Sequence, residues 1–83
     1  MPAASQPAAG EAPAYPGTVL RQESKGAHVR TLQQRLKDLG FNLDVDGDFG
    51  PGTFREVAAF QRQKGLEPDG KVGPNTWAAL FAN

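Results

Sequence analysis

Apolar residues fall at Val29, Leu32, Leu36 and Leu39, at intervals of three, four and three, while Arg30, Arg35, Lys37 and Asp38 lie off that line. This spacing winds a single apolar stripe along an α-helix, and it predicts a helix from about Ala27 to Leu39, stopped by Gly40. Phe54, Val57, Ala58 and Phe60 predict a second helix from about Pro51 to Lys64, stopped by Gly65, and Trp77, Leu80 and Phe81 predict a shorter third from about Pro74 to Phe81. Phe41 and Leu66 each follow a stop glycine and are expected to turn back to the core, with Leu43 after the first of them. Thr18 to Arg21 reads as a short extended lead-in that lays Val19 and Leu20 against the helices. The expected fold class is all-α, a compact three-helix bundle with long Asp-Gly loops that add small extended pieces.

The loops ahead of helices two and three are copies of one pattern. Asp46-Gly47-Asp48-Phe49-Gly50-Pro51-Gly52-Thr53-Phe54 recurs 23 residues later as Asp69-Gly70-Lys71-Val72-Gly73-Pro74-Asn75-Thr76-Trp77. Asp, Gly, Gly, Pro and Thr are identical between the copies, and both end on an aromatic residue. Asp-Gly is a turn pair, because Asp hydrogen-bonds backbone further along and Gly accepts positive φ. Pro after Gly suits a first helical position, where the missing N–H costs nothing. Each copy therefore encodes a loop that feeds a helix.

Composition narrows what this fold can do. The first 17 of the 83 residues, rich in Ala and Pro with Tyr15 as their only bulky apolar group, cannot bury enough surface to order themselves and read as a disordered linker. Domain boundaries are therefore expected at 1–17 for the linker and 18–83 for the folded part. The initiator Met beside such a stretch suggests a module taken from a longer protein. Nine basic residues balance nine acidic ones, and discarding Glu11 with the linker leaves a net charge of only +1. A domain built to hold nucleic acid or an anionic membrane would carry a basic excess, so neither partner is expected. No apolar run reaches the length of a membrane span and no signal peptide is visible. The chain has no cysteine, which removes disulfides, cysteine-ligated zinc and thiol nucleophiles.

Asp44, Asp46 and Asp48 alternate as the opening ligands of an EF-hand loop do, but Phe49 stands where that loop needs Gly and Arg55 where it needs a bidentate acid. Capping of their own loops by Asp46 and Asp69 accounts for them better. A glycosidase would need two carboxyl groups across a sugar-sized cleft, for which a domain this small offers little wall. His28 is the sole histidine and Ser24 the sole serine outside the linker, so no nucleophile set is apparent and no cofactor is implied. Trp77 reads as core. Phe49 leaves two readings open, a loop anchor packed inward or a ring offered to a ligand. Gln33 and Gln61, polar beside apolar stripes, are suited to bracing loop backbone with their amides.

Val29-x-x-Leu32-Gln33-x-x-Leu36-x-x-Leu39-Gly40-Phe41, then Asp46-Gly47-x-Phe49-Gly50-x-x-Thr53, then Phe60-Gln61-x-x-x-Gly65-Leu66, then Asp69-Gly70-x-x-Gly73-x-x-Thr76-Trp77-x-x-Leu80 closely resembles the three-helix peptidoglycan-binding domain found beside bacterial cell-wall hydrolases. The likeness spans about residues 19–81. It implies a non-catalytic module, monomeric, outside the cell or in its envelope, that holds a tethered hydrolase on peptidoglycan. Similar domains serve as propeptide modules of metalloproteases, so an alternative is a regulatory domain that docks on its own peptidase. The resemblance points to the first loop and its helix start as the ligand site: Asp46, Gly47, Asp48, Phe49 and Thr53, with Arg55 and Gln61.

Overall fold

The structure, a computed structural model, describes residues 14–82. Three helices follow in order: α1 (Ala27–Asp38), α2 (Pro51–Gln63) and α3 (Pro74–Phe81). α1 is the central one and packs against both others. Among the described residues there is no strand, only isolated bridges, so the chain is an all-α, three-helix fold as its periodicity predicts.

Each helix begins on a glycine, Gly26, Gly50 or Gly73, and none has a side-chain cap. α2 and α3 instead have Pro in the first turn, where its fixed φ is already helical and no N–H is left unpaired. The C-terminal ends of α1 and α2 are twins. Gly40 (φ 102°) and Gly65 (φ 74°) take the left-handed conformation, and the next N–H, of Phe41 or Leu66, donates back to Leu36 O (2.9 Å) or Gln61 O (2.8 Å). This closure satisfies carbonyls at the helix end and folds the following apolar residue inward.

Leu20, Val29, Leu32, Leu36, Phe49, Val57, Phe60, Val72, Trp77 and Leu80 form the buried core, with Phe41, Leu43 and Phe81 packed at its margin. The stripe on α1 differs from expectation at its last member. Leu39 is the C-cap residue and is 42% exposed. The Gly40 turn brings Phe41 to that level of the core instead, edge-on to Phe60 with ring centroids 6.0 Å apart. Arg35 closes the far end: its Nε donates to Leu80 O (2.6 Å) and its guanidinium lies 5.7 Å from the centre of the Phe81 ring. The end of α3 is thereby tied to α1.

The lead-in does extend along the loops. Leu20 pairs antiparallel with Val72 through two backbone hydrogen bonds of 3.1 and 2.7 Å. Further on, Glu23 N–H donates to Phe49 O (2.8 Å) and Phe49 N–H to Ser24 O (2.9 Å). Phe49 and Val72 are equivalent positions of the repeat, so one segment clips both loops at matching points. Between the clips the chain turns at Arg21–Ser24, with Glu23 held at φ 83°. Tyr15 stacks edge-on against Trp77 at 6.2 Å, so the packed structure reaches at least that far toward the N-terminus. Most of the segment read as a linker, residues 1–13, lies outside the described residues.

Candidate functional site

Both loops are held from beneath by one buried glutamine each. Gln33 Nε2 donates toward Asp46 Oδ1 (3.1 Å), Asp48 O (2.9 Å) and Thr53 Oγ1 (3.0 Å), and its Oε1 accepts from the backbone N–H of Asp46 (3.0 Å) and Gly47 (2.8 Å). Gln61 repeats the arrangement with Asp69 Oδ1 (3.1 Å), Lys71 O (2.8 Å), Thr76 Oγ1 (3.1 Å) and Gly70 N–H (2.9 Å). A terminal amide has two N–H groups and one oxygen with two lone pairs, so the contacts of Gln33 use its full capacity and share one hydrogen, while Gln61 differs only in that its oxygen accepts one N–H. The aspartates finish each bracket: Asp46 Oδ1 accepts Asp48 N–H and Asp69 Oδ1 accepts Lys71 N–H, both at 3.0 Å. The same side-chain types thus brace the two loops, although Gln and Asp lie 13 residues apart in the first and 8 in the second. Buried polar atoms satisfied this completely hold a loop in one shape, ready to present its outer side.

Asp46 is a base of this bracket and its pKa is lowered. The hydrogen bond from the Asp48 backbone is the main cause, followed by the bond from the Gln33 amide, with a smaller contribution from the nearby Arg30 charge. Lys25 lies across the loop, its Nζ 3.2 Å from Asp48 Oδ1 in an exposed ion pair.

The sequence-predicted site residues divide sharply. Asp46, Gly47, Asp48, Phe49 and Thr53 do come together at the first loop, but Gly47, Phe49 and Thr53 are buried. Phe49 takes the inward of its two readings and is a core residue. Thr53 turns its hydroxyl to Gln33. Gln61 is fully buried and belongs to the second loop, not the first; the glutamine of the first loop is Gln33. Asp46, Asp48 and Arg55 remain exposed, and Arg55 lies on α2 outside the cleft that the first loop borders. The inward-facing residues serve the fold, Phe49 in the core and Thr53 and Gln61 in the loop brackets.

Clefts border both loops. One of about 410 Å³ borders the first loop and the start of α2, lined by Leu43, Asp44, Asp46, Asp48 and Gly50 to Thr53. Its counterpart of about 260 Å³ borders the second loop and the start of α3, lined by Leu66, Glu67, Asp69, Lys71 and Gly73 to Thr76. A further cleft of about 460 Å³ opens between the Arg21–Ser24 turn and the second loop, and Phe54 forms part of its wall. The periodicity placed Phe54 on the buried face of α2, but it is 39% exposed while its counterpart in the repeat, Trp77, is only 3% exposed. Thr53 occupies the inward position, because its hydroxyl completes the Gln33 bracket. The Gln–Thr pairing recurs as Gln61–Thr76 with Trp77 buried, so it fixes the threonine and not the exposure of the aromatic residue that follows. Among the described residues no three His, Cys, Asp or Glu side chains gather as a metal site, and His28 is exposed on α1. No described helix is long and apolar enough to cross a membrane.

Comparison with known proteins agrees with this architecture. Residues 25–80 match the family described as "Putative peptidoglycan binding domain". A "Probable N-acetylmuramoyl-L-alanine amidase" of Bacillus licheniformis is 39% identical over 69 residues, which cover 80% of this chain and 20% of the amidase. Among solved structures, the SleB N-terminal domain superposes with a TM-score of 0.78 at 40% identity, covering 81% of this chain and 93% of that one. The Burkholderia AP3 phage endolysin does so with a TM-score of 0.76 at 43% identity, covering 78% of this chain and 25% of the endolysin. The chain spans between 14% and 54% of the length of the first curated relatives it matches.

Proposed function

The chain belongs to the peptidoglycan-binding domain family, and on that premise we propose that it is a non-catalytic module that grips the bacterial cell wall and keeps a linked hydrolase close to its polymer. The observation that carries this reading is the family match over residues 25–80, which takes in α1, α2, all but the last residue of α3 and both braced loops. The relatives support the tethering part, since an amidase and an endolysin are among them and each extends well beyond the stretch it shares with this chain. The site of action is accordingly the cell envelope or the exterior of the cell.

The physical arrangement suits an anchor. A polymer of sugars and short peptides offers hydroxyls, amides and carboxylates, and a near-neutral surface of rigid loops with both signs of charge can meet these without attracting polyanions indiscriminately. The first loop contributes through the residues it leaves exposed, Asp48 above all, with Arg55 beside it in the sequence-predicted set. Asp46 serves mainly to hold the loop.

Co-sedimentation with purified peptidoglycan sacculi, with cellulose as a control and at low and high salt, tests the reading. Retention on sacculi that survives salt is the expected result. Failure to sediment, with helicity intact by circular dichroism, would overturn it and favour docking on a linked catalytic domain.

A further inference from the structure

We propose that the cleft beside Phe54 is the seat of one N-acetylated sugar ring of the glycan strand, with the ring stacked on Phe54 and its polar substituents facing Arg21, Gln22, Glu23, Asp69 and Lys71. The inference rests on the anchor reading and names the part of the wall that is held and the residue that holds it.

Phe54 has the geometry of a platform. Its ring lies against the backbone of Gly70 so closely that a Cβ at that position would overlap it. Gly70 in turn is fixed by the hydrogen bond from its N–H to Gln61 Oε1 (2.9 Å). A glycine at φ 75° held from below by a buried amide thus leaves the space that the ring occupies, and Phe54 is 39% exposed beside the cleft. The equivalent aromatic residue of the second copy, Trp77, is buried and closes the core. One copy of the motif therefore uses its aromatic residue for stability and the other leaves it at the surface.

The opposite wall is equally fixed. The Arg21–Ser24 turn is tied by Ser24 N–H to Arg21 O (2.8 Å) and anchored to the first loop by Glu23 N–H to Phe49 O (2.8 Å). Glu23 keeps a left-handed φ of 83° that a residue with a Cβ rarely adopts, and such strain persists only where its surroundings enforce it.

The chemistry selects the ligand. Two cationic side chains, Arg21 and Lys71, and two anionic ones, Glu23 and Asp69, line the same cleft and leave it without net charge. A neutral ligand rich in hydroxyl and amide groups matches such a lining better than a free carboxylate or phosphate. A sugar ring adds what the aromatic wall requires: an apolar C–H face whose weakly positive hydrogens are attracted to the negative face of a π system. The volume, about 460 Å³, lies within the range of roughly 300–1,000 Å³ usual for small-ligand pockets.

The test is calorimetric titration of the full chain with glycan strands stripped of peptide and, separately, with the free stem peptide. Wild type, Phe54→Ala and Phe54→Leu are compared, and Trp77 fluorescence verifies that each variant is folded. Glycan strands should bind and free peptide should not, with Phe54→Ala weakening the glycan by about tenfold or more, as truncation of an aromatic anchor does. Phe54→Leu, which still covers Gly70, should also be weakened, because an apolar cover without a π face is not enough. Equal binding of glycan by wild type and both variants would overturn the proposal while retention on sacculi left the anchor reading standing. Binding of the peptide instead of the glycan would overturn the ligand class, and loss of wild-type retention on sacculi would overturn both.

Discussion

Replacing Gln33 by Glu conserves shape almost perfectly and inverts the bracket under the first loop. The two acceptor contacts, from the N–H groups of Asp46 and Gly47, survive. The amide nitrogen becomes an oxygen that faces Asp46 Oδ1, Asp48 O and Thr53 Oγ1. Thr53 can rotate its hydroxyl to donate, but the other two are acceptors only. Two contacts change from attractive to repulsive, and at about 1–3 kcal/mol for each unsatisfied buried group the variant loses roughly 2–6 kcal/mol. A folded part of this size has roughly 3–10 kcal/mol in total, so the loss is a large fraction. Burial and the neighbouring Asp46 carboxylate raise the introduced carboxyl above its unfolded value. Its protonated form restores one donor, so the deficit is smallest at low pH and grows as pH rises through the raised folded value. Urea unfolding followed by Trp77 fluorescence near pH 7.5 and near pH 5 measures this, Trp77 being the only tryptophan and buried. Gln61→Glu should behave likewise. A variant as stable as wild type near pH 7.5, or one that loses further stability relative to wild type as pH falls to 5, would refute the bracket account.

Asp46 provides a second pH signature of opposite sign. Its folded pKa lies below the ordinary 3.8, so the stability it contributes is present above that value and lost as pH falls through the lowered one. Asp46→Asn keeps an acceptor for the loop and should flatten the acid limb of a melting-temperature profile between pH 5 and 2. Gly70→Ala meets both a left-handed φ and the Phe54 ring, and should destabilise by at least about 1–2 kcal/mol in urea unfolding. Gly52→Ala, in the first turn of α2 with open space around it and no positive φ, should instead stabilise by about 0.5–1 kcal/mol in the same assay. Lys25→Ala breaks only the exposed pair with Asp48 and should change stability by less than about 1 kcal/mol, by an amount that shrinks further in added salt.

Much of the fold was legible because one interaction dominates it. Hydrophobic spacing placed α1 and α2 to within a residue at their C-terminal ends and α3 at both, since the residues that bury themselves there do so by helical period. The repeated Asp-Gly and Gly-Pro steps located the loops, because φ constraints act locally. What escaped is where polarity overrules the apolar pattern. Thr53 goes inward because its hydroxyl meets the Gln33 amide, a constraint set by a residue 20 positions away, while Phe54 stays at the surface although Trp77, which follows the equally paired Thr76, is buried. Leu39 is displaced for a related reason, since the Gly40 turn delivers Phe41 in its place. The candidate site suffered most. Phe49, Thr53 and Gln61 have the polar or aromatic character expected of ligand contacts, yet the loops consume them as structure. The cleft by Phe54 joins three segments distant in sequence, the 21–24 turn, the start of α2 and the second loop, which no local motif could have brought together.

If the loops form a finished wall-binding surface, amide chemical-shift mapping of the labelled chain during titration with soluble, disaccharide-containing wall fragments will locate it. Saturable shifts confined to the Arg21–Ser24 turn, the start of α2 and the loops around Asp48 and Gly70, with the core amides of α1 unmoved, are the predicted result. An absence of saturable shifts, or shifts spread through the core of α1, would contradict it.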